Sequence, residues 1–261
     1  MEIILQPSAE RAVGLTAQLI AKSVRENPRL ALGLATGRTM EAVYARLARM
    51  HREDALDFRK VRTFNLDEYV GLPADDPHSY RHYMTRHFFE PVGIPAHHTF
   101  LPDGMAQDLD AECRAYEEKI KALGGIDLQL LGIGNDGHIG FNEPLSALMS
   151  RTRPKALSPE TLAQNGPLFG DPTRMPRRAL TMGVGTILES RRALMLVTGA
   201  AKADILAQAV EGPITSMISA TALQLHPHCV VIADEAAAAE LRGTAYYRRV
   251  FETEPEWAEF R

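Results

Sequence analysis

The sequence predicts an α/β fold: a single domain with a mostly parallel, doubly wound (Rossmann-like) sheet, helices on both faces and a lid segment. Short apolar runs alternate with longer segments of helical periodicity, the signature of strands joined by crossover helices. Several of these runs are apolar throughout, as strands covered on both faces must be. Length agrees: 261 residues with 45% hydrophobic content can bury one large core, so residues 1–261 read as one domain.

Taken in order, EIIL (2–5) is the first strand, and Ser8 opens a helix over 8–26 as an N-cap residue. LALGLA (30–35) is the second strand; the turn ATGRT (35–39) leads into a helix over 39–51. VRTFNL (61–66) is the third, leaving through NLDEYVGL (65–72) toward a helix over 79–89. A helix over 107–122 precedes IDLQLLGI (126–133), which runs into GIGNDGHIGFNEP (132–144). Residues 145–178 are rich in Ser, Pro, Arg and Gly and lack long apolar runs; inside an α/β domain such a stretch reads as a lid over a site. ALTMGV (179–184), ALMLVTG (193–199) and CVVIAD (229–234) complete the strands, and TGAAK (198–202) opens a helix over 200–211 that Gly212 ends.

Composition excludes several classes of function. A formal net charge of -4 argues against a nucleic-acid surface, which needs a dominant basic field. The two cysteines, Cys113 and Cys229, are far apart in sequence; they suggest neither a disulfide scaffold nor a zinc site and fit a reducing cytoplasm. The N-terminus lacks the basic start and apolar stretch of a signal peptide, and no run approaches the ~18 apolar residues of a membrane span.

Ligands of open α/β sheets bind beyond the C-terminal ends of the strands, which directs attention to the strand exits. In ATGRT, Gly37 frees the backbone while Thr36, Thr39 and the amides of the following helix converge on one point. Such a point attracts phosphate, and Arg38 adds positive charge. A tight turn with a threonine cap is the plainer alternative. Lys202 stands in the first turn of its helix, where a cation is misplaced unless an anion is held there; a solvated lysine is the alternative. Asp67 and Glu68 are adjacent acids at a strand exit, so their side chains point to opposite sides and only one faces the site; a surface pair is the alternative.

The stretch LLGIGNDGHIGFNEP (130–144) has the G-x-G-x-x-G spacing of a dinucleotide-binding turn. Its chemistry is different. Asp136 would repel a pyrophosphate, Gly140 and Pro144 interrupt the required helix, and no acid follows from Pro144 to Pro159 to bind a ribose. Instead Asp136, His138 and Glu143 fall within eight residues. A histidine oriented by two carboxylates in a glycine-rich loop is suited to proton transfer. Asp-x-His with a nearby Glu also supplies metal-ligand chemistry, but no second histidine is close in sequence, and metal is not favoured.

TFNLDEYVGL, LGIGNDGHIGFNEP, SRTR, ALTMGVGTIL, VTGAAK and LQLHP, in this order and spacing, resemble the glucosamine-6-phosphate deaminase family over nearly the whole chain. The wider superfamily of 6-phosphogluconolactonases shares the fold without the combination of NLDEYVGL and GIGNDGHIGFNEP. The resemblance implies conversion of glucosamine 6-phosphate and water to fructose 6-phosphate and ammonia, with no cofactor and no metal. Carried over residue by residue, it makes His138 the aid to ring opening, with Asp136 and Glu143 as partners, and Asp67 the group that moves a proton between C2 and C1. The phosphate falls to Thr36, Gly37, Arg38, Thr39 and Lys202. The sequence departs from the family in that turn, where a small residue is usual in place of Arg38 and a proline in place of Met40. It departs again in the lid, where Pro167 stands for a phosphate-binding arginine. Galactosamine 6-phosphate and a lactonase-type hydrolysis are the alternatives. Bacterial members are often hexamers with an effector site for N-acetylglucosamine 6-phosphate. Ser146, Arg153 and Lys155 match positions of that site, whereas Ala156 replaces a threonine; a solvated basic strand edge is the alternative reading. A cytoplasmic homo-oligomer acting on a sugar phosphate, without nucleic acid or membrane partners, is the expectation.

Overall fold

Seven parallel strands carry the structure, a computed structural model that describes residues 1–261. In chain order the first half comprises β1 (Glu2–Gln6), α1 (Ala9–Glu26), β2 (Ala31–Leu34), α2 (Arg38–Glu53), β3 (Arg62–Asn65) and β4 (Asp67–Tyr69). It continues with α3 (Tyr80–Met84), α4 (Glu90–Val92), β5 (Thr99–Phe100) and α5 (Leu109–Ala122). The second half comprises β6 (Leu128–Leu131), β7 (Arg153–Ala156), α6 (Pro159–Asn165), β8 (Arg178–Thr181) and α7 (Val184–Leu188). β9 (Ala193–Val197), α8 (Ala203–Glu211), β10 (Cys229–Asp234) and α9 (Thr244–Thr253) complete it.

The main sheet has the order β1-β10-β9-β6-β2-β3-β5, and every pairing in it is parallel. The local signals behave as expected. Ser8 caps α1 by accepting from the Arg11 N–H at 3.3 Å, and the apolar stripe Leu15, Leu19, Ile20 and Val24 is buried where α1 packs against β10. One contiguous core of 56 buried residues spans the sheet and its helices. Both cysteines are buried free thiols.

Three expectations are corrected. ALTMGV does not join the main sheet: β8 pairs antiparallel with β4 and β7 in a separate three-stranded sheet. Its residues read as a central strand because Ala179, Leu180 and Thr181 are fully buried, and an apolar run does not reveal which sheet buries it. The helix over 79–89 is α3 followed by a π-helical turn, Thr85–Phe89. The segment 145–178 is not loop throughout, since β7 and α6 lie inside it. Pro154 puts β7 at the edge of its sheet, where a missing N–H is tolerated. Besides β7 and α6, the elements β4, β5, α4, α7 and α9 were not among the sequence expectations.

The topology fixes where a ligand can bind. The chain leaves β2 for β3 on one side, whereas β6 lies on the other side of β2 and leads away toward β9. The exits of β2 and β6 therefore diverge, opening a crevice at the switch point of the sheet.

Candidate active site

A cavity of about 280 Å³ occupies that crevice, and Thr36, Gly37, Arg38, Thr39, Asp67, His138 and Lys202 all line it. It gathers the β2 exit, the β4 strand, the β6 exit, the start of α8 and the lid residues Gln164 and Asn165. Larger grooves lie on the surface between α1 and α2 and beside α5, away from Asp67, Asp136 and Glu143.

Asp67 is positioned by the small sheet. After β3 the chain steps out at Leu66, whose N–H donates to Leu34 and whose carbonyl accepts from Met182, and β4 then pairs with β8 so that Asp67 faces Thr181. The Asp67 carboxyl is buried, and burial together with the neighbouring Glu68 charge pushes its pKa up to about 8. Glu68 turns the other way, as strand alternation requires. It accepts from the backbone N–H groups of Tyr69, Tyr80 and Arg81, each at 2.9 Å, and so closes the start of α3.

The 132–144 loop folds back on itself around His138. The His138 Nδ1 lies 2.5 Å from Asp136 Oδ1 and 3.5 Å from Glu143 Oε2. The contact is close but poorly directed, so Nδ1 and the second oxygens of both acids lack a well-aligned hydrogen bond; such bonds often tighten only around substrate. Burial raises the Asp136 pKa, but the His138 hydrogen bond and charge outweigh it, for a net lowering. Gly134 makes the fold of this loop feasible, because a Cβ there would lie 2.3 Å from His138 Cε1. The small sheet braces the loop. The Phe141 N–H donates to Thr181 Oγ1, and Asn142 Nδ2 donates to the Ile139 and Met182 carbonyls. Glu143 Oε1 accepts from the N–H of Ser158, the N-cap of α6, so the acid beside His138 also anchors the lid. The ligand atoms of Asp136, His138 and Glu143 lie within 4.8 Å of one another, a spacing a divalent cation would also fit.

In the 36–39 turn Gly37 and Arg38 are exposed and Thr36 and Thr39 half-buried. Gly37 caps α2 with φ of 116°, a conformation glycine alone adopts readily, and Arg38 is exposed at the cavity mouth. Lys202 precedes α8 and reaches across to the catalytic loop, donating to the Ile133 carbonyl at 2.9 Å and to Asn135 Oδ1 at 2.5 Å. Burial lowers its pKa, with Asp136 opposing. The remaining matched positions lie outside this cavity. Ser146 is buried, Arg153 is half-buried with Nη1 on Asn142 Oδ1 at 2.9 Å, and Lys155 is half-buried on β7. Pro167 is exposed and does not line the cavity. Sequence reasoning missed Tyr80 and Asn165; the predicted helix start at 79 and the predicted lid contained them, but nothing in their spacing aimed them at the site.

An α/β sheet with a phosphate-type turn at its switch point, a buried carboxyl and a carboxylate-flanked histidine defines a class of enzymes that isomerise or hydrolyse sugar phosphates. Residues 6–232 match the family described as glucosamine-6-phosphate isomerases/6-phosphogluconolactonase, and the chain belongs to that family. Among its relatives, a glucosamine-6-phosphate deaminase of Streptomyces coelicolor is 47% identical over 258 residues, covering 98% of this chain and 99% of that protein. One from a Geobacillus species is 46% identical over 237 residues, covering 91% and 94%. The solved structure of a monomeric glucosamine-6-phosphate deaminase superposes with a TM-score of 0.90 at 42% identity, covering 92% of this chain and all of that one. A 6-phosphogluconolactonase from Trypanosoma cruzi, at 23% identity and a TM-score of 0.74 over 92% of this chain and 97% of its own, shares the fold.

Proposed function

We propose that this chain, as one catalytic unit over residues 1–261, is a glucosamine-6-phosphate deaminase: glucosamine 6-phosphate and water give fructose 6-phosphate and ammonia. The observation that carries this reading is Asp67, a buried carboxyl with a pKa of about 8 in the same cavity as His138 and the 36–39 turn. A base that removes a carbon-bound proton and returns it needs a pKa near the working pH. Lactone hydrolysis has no use for such a group.

The phosphate binds the α2 N-terminus through Thr36, Gly37 and Thr39, with Arg38 and Lys202 supplying positive charge. Because both acids gather at Nδ1, His138 presents Nε2 to the sugar. There it takes the proton of the anomeric hydroxyl and delivers one to the ring oxygen, opening the ring. Asp67 then removes the C2 proton while the aldehyde oxygen is protonated, giving an enolamine. Return of that proton to C1 leaves an iminium at C2; water adds there and ammonia departs. Asp136 and Glu143 hold the imidazole through this cycle.

The buried Ser146 Oγ and Arg153 Nη2 lack hydrogen-bond partners, which supports an anionic effector site with Lys155. Arg153 connects it to Asn142, beside Glu143. N-acetylglucosamine 6-phosphate should then raise activity at low substrate, and Arg153→Ala should remove that response. We place the enzyme in the cytoplasm as a homo-oligomer. Ammonia release from glucosamine 6-phosphate, with Asp67→Asn and His138→Gln as inactive controls, tests the assignment. No ammonia from any hexosamine 6-phosphate, alongside brisk hydrolysis of 6-phosphogluconolactone, would overturn it.

A further inference from the structure

Tyr69, buried, and Tyr80, half-buried, stand beside the cavity, and their hydroxyl groups form a chain. The Tyr80 hydroxyl donates to the Tyr69 oxygen at 3.3 Å, and Asn165 Nδ2 donates to the same oxygen at 3.1 Å. At its other end Tyr80 lines the same cavity as Thr36. The chain of hydroxyls thus runs from the cavity that holds the 36–39 turn to the last residue of α6, in the lid. It runs through an apolar sleeve: Tyr69 is 2% exposed, and Phe169 of the lid packs edge-on against it at 5.6 Å. Tyr80 stacks on Phe141 at 6.0 Å. Glu68 fixes one end by holding the Tyr80 backbone N–H.

We propose that Tyr69 and Tyr80 are positioning residues that transmit occupancy of the phosphate turn to the lid; the inference rests on the reading of residues 36–39 as the phosphate site. Without ligand, the Tyr69 oxygen is shared by two donors, Tyr80 and Asn165. When a phosphate takes the Thr36 hydroxyl proton in a hydrogen bond, the Thr36 oxygen becomes the acceptor for Tyr80, and Tyr80 in turn accepts from Tyr69. All donors then point one way, from Asn165 through Tyr69, Tyr80 and Thr36 to the anion. Aligned chains polarise each bond in turn, and Asn165 gains sole use of the Tyr69 oxygen. The lid is thereby drawn down when a phosphorylated sugar is present and left loose for a sugar without phosphate.

The experiment uses Tyr69→Phe and Tyr80→Phe, which keep the rings and their packing, and the double variant. Hydrogen exchange of residues 158–175 is followed with and without inorganic phosphate. The expected result is that phosphate slows exchange there in the parent protein but not in either variant, while still competing with substrate in all three. KM for the sugar phosphate rises about five- to tenfold, the value of one lost hydrogen bond, with the loss in KM rather than kcat, and the double variant is no worse than the singles. Phosphate that binds yet leaves the lid unprotected in the parent protein, or protects it equally in Tyr80→Phe, overturns the relay alone. Phosphate that does not bind the parent protein overturns the assignment of the turn and the relay with it.

Discussion

Asp67, proposed as the group that moves the C2 proton, is kept in its site at the expense of the fold. Its pKa is about 8 in the folded protein against an ordinary value of 3.8, so the folded chain holds a proton that the unfolded chain releases between those values. The stability from this residue is therefore fully present below about pH 4 and is lost as pH rises through 8. Asp67→Asn has nothing to ionise: it should abolish ammonia release yet raise Tm by several degrees at pH 8.5, with a smaller gain at pH 5. An equal Tm gain at both values would show that ionisation is not the cause. Glu68 adds to the upward push on Asp67, so Glu68→Gln should move the acid limb of kcat/KM to lower pH. It should also weaken the start of α3 by about 1 kcal/mol, because the amide retains only one acceptor oxygen. Arg38 is exposed at the cavity mouth, and in the proposed reading it takes the place of the phosphate contact that Pro167 does not make. Arg38→Gly should raise KM for the phosphorylated sugar about tenfold with kcat little changed. An unchanged KM would dismiss that role.

The 132–144 loop was legible because its residue types conflict with the motif they imitate: Asp136 stands where a pyrophosphate would lie. Glycine spacing alone was misleading, and charge resolved it. The small sheet was not legible. The pairing of Asp67 with Thr181 spans nearly half of the chain, and nothing local in ALTM distinguishes a strand of the main sheet from one that bridges Asp67 to the His138 loop. For the same reason Tyr80, Ser158 and Thr181 could not be assigned to the site from sequence; their roles depend on partners distant in the chain. Gly134 is the position where loop geometry and chemistry meet most tightly. A methyl group there would displace the imidazole, so Gly134→Ala should lower kcat at least tenfold. Full activity in that variant would mean the imidazole has another productive position.

The fold as a whole was readable from strand exits, because a parallel sheet with one switch point concentrates its ligand chemistry there. Association between chains is not encoded that way. Leu145 is 73% exposed and Met217 is 50% exposed. They are neighbours, since the Leu145 N–H donates to the Ser216 carbonyl at 2.9 Å. Leu145 also has φ of 67°, a strained conformation for a branched side chain that holds an apolar group in water directly after Glu143 and Pro144. A chain that keeps such a residue exposed beside its catalytic loop gains by covering it with another copy. Light scattering on the purified protein should therefore give a mass of more than one chain at micromolar concentration, and Leu145→Asp should reduce it toward one. Because Leu145 adjoins Glu143, the dissociated variant should also respond less to an anionic effector at Arg153. A single-chain mass for the parent protein would place it with its monomeric solved relative, and the exposed Leu145 would then have to be explained within one subunit.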